Sequence, residues 1–434
     1  MLKNKHKNKR CFIIGSGPSA DNFDLSLLKD EITICVNRSF RVTQYHGFDP
    51  TYCCMGDVNN YRNYGADLYK ELNSGIVFGK MFQDLYKTRP GFYDGKKYKK
   101  YEGDNVVCWL SCAGSEKVCD GYFTHDIDKK GAYQGSGTVV IGFALPFAMY
   151  LGCRDIYLIG CDTTNCSGYS IKIKDHGRKT NRLSLNTVLK SYEAVKKYTI
   201  EKNRRSSIYT VGKGGALDIF PRVLFENILN RQLINVENGE TSQYRNFVLD
   251  YIQRYFDKNI IDLNILDVGS GHDPLTVDCD TFDLKEPYTK KIFTPYYVGN
   301  VMEIHSIVDK KYDILYNSHL IEDFNDTDIG SILLQFSKIL KTNKSILVFL
   351  LPDQQRYLKC CQRNNTEPNA AHKISCFGLD YISDKVKKMG FHILEKKCFW
   401  EEDNPNDFGY NFFISMKFSM FSINQNAVRN RKIG

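Results

Sequence analysis

Long apolar runs are missing from this sequence. No segment reaches the roughly 18 apolar residues that a membrane-spanning helix needs, and no apolar stretch follows the basic start MLKNKHKNKR as it would in a secretory signal. Both absences argue against an integral or secreted protein. We therefore expect a cytoplasmic protein, with a peripheral position at the inner face of the membrane as the alternative.

A framework of paired cysteines is also missing. The chain has 15 cysteines but no CxxC pair, and the adjacent pairs at 53–54 and 360–361 have poor geometry for zinc. An odd count argues against complete pairing within one chain. The sequence therefore predicts reduced, buried thiols.

Dense clusters of like charge are scarce along the chain. The net charge of +9 is spread over 434 residues, and the only dense basic run is residues 1–10. A solvated, disordered tail is the favoured interpretation of that run, and weak contact with an anionic membrane surface is the alternative. No basic stripe is interleaved with aromatic residues, so we expect no nucleic-acid partner.

What is present is an alternation of strand-like and helix-like segments that runs twice along the chain. The length exceeds one ordinary core. The alternation restarts after about residue 238, and the Tyr-, Lys- and Gly-rich stretch at about 60–130 is expected to be an irregular insertion. The sequence predicts an α/β fold with two Rossmann-like domains, 1–238 and 239–434, each a mostly parallel sheet flanked by helices.

Each predicted domain has a glycine loop directly after a strand. In the first, CFIIGSGPSADNF at 11–23, the loop can offer backbone N–H groups to a nucleotide phosphate. It is not a dinucleotide fingerprint, because Pro18 and Ser19 replace its remainder and no acid ends the second strand. A simple tight turn is the alternative. The loop residues are Gly15, Ser16, Gly17, Pro18 and Ser19.

Polar residues at other strand ends complete this candidate site. Asn37 and Asp57 follow neighbouring strands and can bind ribose or base. Ser136, Gly137 and Thr138 open a helix, whose N-terminus favours an anionic group. Asp162 ends a long apolar strand, and DHGRK supplies His176 beyond it. A surface role for His176 is the alternative.

The first half resembles two related bacterial groups of proteins, because four of its segments occur in the order seen in those groups. The segments are GSGPS, CVNRSF, GFDPTYCCMGD and SGTVVIGFALPFAMYLGCRDIYLIGCD. These groups are the family 42 sialyltransferases and the MAF-like, DUF115 proteins, which include motility-associated glycosyltransferases and a pterin diphosphokinase. The resemblance covers about 10–235, without 60–130. It implies a transferase that uses a nucleotide sugar, a CMP-linked nonulosonate, and a glycan or glycolipid acceptor.

The same resemblance implies roles for individual residues. His176 is implied as the general base, and Tyr169 is the nearest match to the tyrosines that grip the donor phosphate. Ser16 departs from the Asn often found in the sialyltransferases, and the spacing from Asp162 to His176 is closer to the MAF-like pattern. No metal is expected to be required, because the DxD matches at 126–128 and 278–280 are of a kind that arises often by chance.

The second glycine loop lies in NILDVGSGHDPL, 264–275, and also lacks a third glycine at the dinucleotide spacing. With TFDL, GNVMEI, YDILYNSHLIEDF and the segments up to about 415, it resembles the class I S-adenosylmethionine-dependent methyltransferases. The resemblance implies that the loop passes beneath the methionine part of the cofactor. The residues it assigns to cofactor binding are Asp267, Gly269, Ser270, Gly271, Asp283, Asn300 and Asn317.

Two departures and one catalytic candidate follow from this second resemblance. Asn300 replaces the usual acid at the adenine, although its carbonyl oxygen can still accept a hydrogen bond. The expected His after Leu-Glu is absent, because the sequence reads Leu-Ile-Glu-Asp at 320–323. His319, just past a strand end, can remove the acceptor proton, and a structural role is equally open to it.

The sequence thus predicts a bifunctional surface-glycan enzyme. The first domain transfers a sugar to a glycan acceptor, and the second methylates with S-adenosylmethionine. One alternative is that the first domain is a diphosphotransferase that needs ATP and magnesium, or another nucleotide-dependent transferase. The other is a non-catalytic scaffold that retains two nucleotide-binding folds.

Overall fold

The computed structural model describes residues 2–56, 58–79, 106–110, 112–117, 123–127, 133–135, 138–163, 185–213, 215–230, 240–284, 295–400 and 409–418. Contacts between residues divide the chain into two compact units. The first unit comprises Met1–Asn238 with Ser242–Ile260, and the second comprises Gly239–Thr241 with Ile261–Gly434. Each has a mostly parallel sheet flanked by helices, which confirms the predicted fold class.

The first unit is built on an eight-stranded parallel sheet. Its strands are β1 Cys11–Ile14, β2 Ile32–Val36, β3 Tyr52–Met55, β4 Gly75–Gly79, β5 Val106–Leu110, β8 Asp155–Ile159, β9 Ser207–Val211 and β10 Arg222–Val223. Their order is β10-β9-β8-β1-β2-β3-β4-β5. A separate pair joins β6 Cys112–Lys117 to β7 Tyr133–Gly135.

Helices lie between most of these strands, as is usual for parallel pairing. The α-helices are α1 Phe40–Tyr45, α2 Val58–Glu71, α3 Leu145–Tyr150, α4 Leu185–Glu201, α5 Phe225–Asn230 and α6 Glu240–Phe256. A π-helical turn over Val140–Ala144 leads into α3, and Pro18–Asn22 forms a 3-10 helix. The central strands β1 and β8 are buried along their whole length, which explains the apolar runs at 11–14 and 156–159 in the sequence.

The prediction of an irregular insertion at 60–130 is wrong for those residues of the segment that the structure describes. Helix α2 and strands β4 and β5 continue the first sheet beyond β3. Strand β4 has a short apolar run, buried at 76–78 and flanked by two glycines. So short an apolar run cannot be distinguished from a loop by periodicity.

Residues 242–260 group with the first unit, although a boundary at 238 assigns them to the second. Within α6, Arg245 is 2% exposed and its Nη1 lies 3.2 Å from Asp155 Oδ1. Asn246 Nδ2 donates to the Ser206 carbonyl at 2.8 Å. Buried polar contacts of this kind hold the helix on the first sheet, and they leave no trace in the linker-like composition that precedes it.

The basic start of the chain is ordered, contrary to the expected disordered tail. The N–H groups of Asn4, His6 and Asn8 donate to the three consecutive carbonyls of 150–152, at 3.0, 2.8 and 2.9 Å. Leu2 packs against the core of the first unit. The segment therefore satisfies carbonyl groups that the end of α3 leaves without helical partners. No helix in the described ranges is long and apolar enough to cross a membrane.

The second unit has a seven-stranded sheet. Its strands are β11 Ile265–Val268, β12 Asp280–Asp283, β13 Tyr297–Val298, β14 Ile314–Ser318, β15 Ile346–Pro352, β16 Phe391–Cys398 and β17 Asn411–Phe418. Their order is β13-β12-β11-β14-β15-β17-β16, and β17 alone runs antiparallel to its neighbours β15 and β16. The helices are α7 Ile304–Ile307, α8 Asp326–Ile339, α9 Gln354–Asn364 and α10 Leu379–Lys388.

The core of this unit follows directly from sequence patterns. Strand β15, with the sequence ILVFLLP, is buried at every position. Helix α8 begins where Asn325 Oδ1 accepts the Asp328 N–H at 2.9 Å. It buries Ile329, Leu333 and Phe336 on one helical face. Apolar burial on both sides fixes the sheet whose strand ends carry the site.

Candidate functional site

The first site lies where the order of the first sheet reverses, between β1 and β8. Chain order runs outward from these two neighbouring strands in opposite directions. Ligands of open α/β sheets bind at such a point, outside the carboxyl ends of the strands. The loop at 15–19 leaves β1 here, and the loop at 160–163 leaves β8 beside it.

These two loops are hydrogen-bonded to each other. Gly17 N–H donates to the Gly160 carbonyl at 2.8 Å, and Ser19 N–H donates to Asp162 Oδ2 at 2.9 Å. A Cβ on Gly17 would lie 2.5 Å from the same Asp162 oxygen and 2.7 Å from the Gly160 carbonyl oxygen. Glycine is therefore required at residue 17 by the approach of a neighbouring backbone.

Few amides of the first loop remain for a phosphate in this conformation. The Gly15 N–H donates to the Ile159 carbonyl at 2.7 Å, Gly17 and Ser19 donate as above, and Pro18 has no N–H. Within the described residues, Ser16 is left as the one amide of the loop without an acceptor. Asp162 Oδ2 thus accepts an N–H from the first turn of the 3-10 helix at 18–22 and positions the loop, while its predicted catalytic role stays a prediction.

The end of β2 adds two polar side chains. Asn37 has a left-handed backbone with φ 51°, and its Oδ1 is buried without a hydrogen-bond partner among the described residues. The next residue, Arg38, is 7% exposed, and its guanidinium lies 4.7 Å from the Tyr64 ring centre. Sequence reasoning missed Arg38 because a cation at a strand end is normally a solvated turn residue. A buried cation here suits an anionic nucleotide.

The remaining predicted residues of the first site divide into two groups. Thr138 opens the π-helical turn, where its carbonyl accepts the Gly142 N–H at 2.8 Å. Its hydroxyl oxygen accepts the Ile141 N–H at 3.4 Å. The other predicted residues lie outside the described ranges; they are Asp57, Ser136, Gly137, Tyr169 and His176.

The second site lies at the corresponding reversal of the second sheet, between β11 and β14. Gly269 and Gly271 both have left-handed backbones, with φ 73° and 51°. The Gly269 N–H donates to the Phe282 carbonyl at 2.8 Å, and a Cβ on Gly269 would lie 3.0 Å from Leu320. The loop after β11 thus turns tightly over the sheet edge, and both glycines are needed for its backbone geometry.

Two carboxylates fix the shape of this loop. Asp267 is 1% exposed, and its Oδ2 accepts the Leu275 N–H at 2.7 Å. Asp283, at the end of β12, accepts the Gly271 N–H at 2.8 Å and the Leu284 N–H at 2.7 Å, one on each oxygen. Burial raises the pKa of Asp283, and the two N–H donors oppose that rise. Each oxygen keeps a lone pair for a ligand hydroxyl.

Buried polar atoms without partners mark the space beside the loop. Asn317 is fully buried, and its Nδ2 donates to the Val268 carbonyl at 2.7 Å across the strands. Its Oδ1 and the Ser270 Oγ have no partner within the described ranges. Buried groups of this kind normally hydrogen-bond to something, so both atoms fit a site that takes a polar ligand.

Asn300 occupies a different environment from the other predicted cofactor residues. It is exposed, and its Oδ1 accepts the Met302 N–H at 3.0 Å as the N-cap of a 3-10 helix. One lone pair of the carbonyl oxygen is therefore engaged in the cap. The second lone pair is what remains for an adenine amine.

An acidic pair and a histidine follow β14 next to the glycine loop. His319, with φ 53°, has its Nδ1 3.2 Å from Oε1 of Glu322, which is 1% exposed. Asp323 lies beside them, and burial together with the Glu322 charge raises its pKa to about 6. The sequence singled out His319 but not Glu322, because Glu322 reads as a polar residue of a short turn and its burial is not visible in the pattern.

Residues 1–168 match the family described as 6-hydroxymethylpterin diphosphokinase MptE-like. The MptE-like match covers less than half of the chain and runs from before β1 to just beyond Asp162. The predicted resemblance of the first domain is confirmed at the level of this family. The match names no sialyltransferase, so the CMP-linked donor stays a prediction. The comparison with curated proteins gives no match.

Two solved methyltransferase structures and one further protein structure are similar to part of the chain. One from Clostridium acetobutylicum is 12% identical and covers 45% of this chain and 98% of its own, with a TM-score of 0.30. One from Methanosarcina mazei is 13% identical, with 39% and 96% covered and a TM-score of 0.28. A protein from Pyrococcus horikoshii is 14% identical, with 42% and 93% covered and a TM-score of 0.32. These values carry no argument about activity.

The second sheet has the glycine loop and the acid at the strand ends that the methyltransferase resemblance of the sequence implies. Counted within the unit, the strand order is 3-2-1-4-5-7-6, and the seventh strand is the antiparallel one. The glycine loop follows the first of these strands and Asp283 ends the second, at the positions that the sequence resemblance implies for cofactor binding.

Metal ligation has no visible support in the described part of the chain. No group of three His, Cys, Asp or Glu side chains converges there. Asp126 of the first DxD match is half-buried, while Asp128 lies outside the described residues. The expectation that no metal is required therefore stays a prediction.

We expect an Asp323→Asn variant to be more stable than the parent protein at neutral pH. The folded-state pKa of about 6 lies above the ordinary 3.8, so the folded state holds the proton to higher pH than the unfolded state does. Stability therefore falls as pH rises from about 4 to 6, and the penalty is fully present above that window. Because the carboxyl is only partly buried, we expect a gain of about 1 kcal/mol at pH 7.

Urea unfolding of both proteins between pH 4 and 8 measures this gain. At pH 4 the two should be equally stable, since the parent carboxyl is then protonated in the folded state. An Asn variant that is less stable at pH 7 would show that the Asp323 charge is stabilising, contrary to its raised pKa.

Proposed function

We propose that the chain is a two-site transferase, in which the second unit methylates an oxygen of a glycan with S-adenosylmethionine. The observation that carries the proposal is the contact of Asp283 with the second glycine loop. The Asp283 carboxylate accepts the Gly271 and Leu284 N–H groups, one on each oxygen. Each oxygen keeps a lone pair for a ribose hydroxyl, at the carboxyl edge of the second sheet.

S-adenosylmethionine, when bound, supplies a methyl group already activated on its sulfonium. The chain then has to hold the acceptor in line and take its proton. His319 is the proposed base for that step, since it follows β14 beside the loop. Donation of its Nδ1–H to Glu322 makes Nε2 the basic nitrogen of the neutral ring. Glu322 is in this proposal a positioning residue that fixes the tautomer.

For the first unit we propose transfer of a sugar from a CMP-linked nonulosonate to a glycan or glycolipid acceptor. The proposal is supported by the motif order of the sequence and by the polar strand ends at Asn37 and Arg38. His176 is the proposed base that deprotonates the acceptor hydroxyl. The basic start of the chain would add weak attraction to an anionic membrane surface that carries the acceptor.

A second candidate for the first unit is diphosphate transfer from ATP. The description of the matched family favours it, because it names a diphosphokinase. Such a transfer needs magnesium to neutralise the phosphates. Sugar transfer of the type proposed here is expected to need none, so the metal requirement separates the two candidates.

A thermal-shift panel on the intact chain tests these proposals. The ligands are CMP, CDP, UDP, GDP, ATP with and without magnesium, and S-adenosylhomocysteine. A ligand that binds only the folded state raises Tm, so we expect separate shifts with CMP and with S-adenosylhomocysteine, and a larger combined shift. A response to magnesium-ATP but to no cytidine nucleotide would replace sugar transfer by diphosphate transfer. No response to any ligand would favour the non-catalytic scaffold.

A further inference from the structure

A cavity of about 550 Å³ opens at the edge of the first unit opposite its glycine loop. Its walls come from residues 4–8, 152–153 and 202–206, which directly precede β1, β8 and β9. These are the amino ends of parallel strands, whereas the glycine loop lies at the carboxyl ends. Strands of four or five residues put roughly 15 Å between the two edges, so this cavity is not part of the nucleotide site.

The lining of this cavity is cationic and contains no carboxylate among the described residues. Lys7 comes from the start of the chain, and Lys202, Arg204 and Arg205 come from the turn between α4 and β9. Lys7, Lys202 and Arg205 form no ion pair with a described carboxylate. Three such charges facing one volume repel one another, and an anion between them removes that cost.

Neutral donors complete the wall between the charges. Asn4 and Asn8 line the cavity with left-handed backbones, φ 60° and 63°. His125 also lines it, and its Nδ1 lies 2.7 Å from the Tyr198 hydroxyl. Amide, imidazole and cationic donors together are the set that binds phosphate oxygens in proteins.

The fold holds these groups in place with dedicated backbone contacts. Residues 4–8 pair with the carbonyls of 150–152. Gly152 has φ 82°, and a Cβ there would lie 3.0 Å from both the Asn4 Oδ1 and the Lys7 Cα. Ser206 Oγ donates to the Cys153 carbonyl at 2.9 Å and so ties the second cationic segment to the same turn. The two basic segments are therefore built against each other.

We propose that this cavity binds a phosphate-bearing anion, either a free phosphate compound or the headgroup of an anionic lipid. Its volume is in the range of ordinary ligand pockets and exceeds what a single phosphate fills, so a diphosphate group fits the chemistry. The site would hold an anionic ligand at the edge away from the nucleotide.

Calorimetric titration of the intact chain with pyrophosphate at fixed, low ionic strength tests the proposal. The variant is the triple substitution Lys7→Gln, Lys202→Gln and Arg205→Gln, and all three side chains are exposed. We expect its affinity for pyrophosphate to fall about tenfold or more. The matched control is Lys190→Gln, an exposed lysine at the other end of α4, roughly 18 Å away along the helix, which should bind as the parent does.

Flotation with vesicles separates the two sources of phosphate. Binding to phosphatidylglycerol vesicles but not to phosphatidylcholine vesicles, lost in the triple variant, would assign the cavity to a lipid headgroup. Titration with pyrophosphate and no flotation would assign it to a soluble compound. Equal binding by the parent and the triple variant, or no binding of either probe, would overturn the proposal.

Discussion

An Asp283→Asn variant is expected to bind S-adenosylhomocysteine about 100-fold more weakly than the parent protein. Both carboxylate oxygens accept a backbone N–H, from Gly271 and from Leu284. An amide in their place must turn its NH2 toward one of these donors, which releases the loop. It also removes the charge from the hydrogen bonds to the ribose, worth about 1.5–3 kcal/mol each. Calorimetric titration with S-adenosylhomocysteine measures the loss.

The matched control for this result is Asp384→Asn, an exposed position on α10 of the same unit. It should bind S-adenosylhomocysteine as the parent does. A circular dichroism spectrum identical to that of the parent would show that the Asp283 variant is folded. If the folded variant keeps the parent affinity, Asp283 does not hold the ribose and the assignment of the cofactor edge is wrong.

A Gly17→Ala substitution is expected to destabilise the first unit by about 3 kcal/mol or more. The added methyl group would meet the Asp162 carboxylate at 2.5 Å and the Gly160 carbonyl oxygen at 2.7 Å. Relief requires the two loops to separate, which breaks the hydrogen bonds of Gly17 to Gly160 and of Ser19 to Asp162. The expected loss combines overpacking with those bonds, about 1 kcal/mol each.

Chemical denaturation followed by circular dichroism measures this effect, and Ser16→Ala is the control. Ser16 is the neighbouring half-buried residue, and no side-chain hydrogen bond within the described ranges depends on it. It should unfold within about 0.5 kcal/mol of the parent. The Tm shift by S-adenosylhomocysteine reports on the second unit and should survive in both variants. Wild-type stability of Gly17→Ala would mean that the loops are not in contact.

Much of the fold could be predicted because burial leaves a direct pattern in the central strands. Residues 11–14, 156–159 and 346–352 are continuous apolar runs, and each is buried on both faces of its sheet. Glycines or polar residues end these runs, so the carboxyl edges were also recognisable. The second glycine loop follows a strand of this kind, whereas Asp283 was assigned through the methyltransferase resemblance.

The parts that could not be predicted depend on contacts between distant residues. Strand β4 is short and was assigned to an insertion, because its burial comes from pairing with β3 and β5. The basic start of the chain resembles a disordered tail in composition alone. It is ordered because its N–H groups donate to the carbonyl groups of 150–152, and no local sequence pattern predicts these hydrogen bonds. Glu322 and Arg38 are polar residues whose burial is imposed by their surroundings.

By itself the sequence determined the fold class, the two glycine loops and the acids that end their neighbouring strands, because local periodicity and turn chemistry encode them. Tertiary structure alone decided how those groups are used. Amides of the first loop donate to carbonyl groups at the end of β8. Asp283 accepts an N–H of the second loop, and His319 pairs with the buried Glu322. The reason is physical: a hydrogen bond between residues far apart in the chain depends on the packing of whole elements, and no short window of sequence contains it.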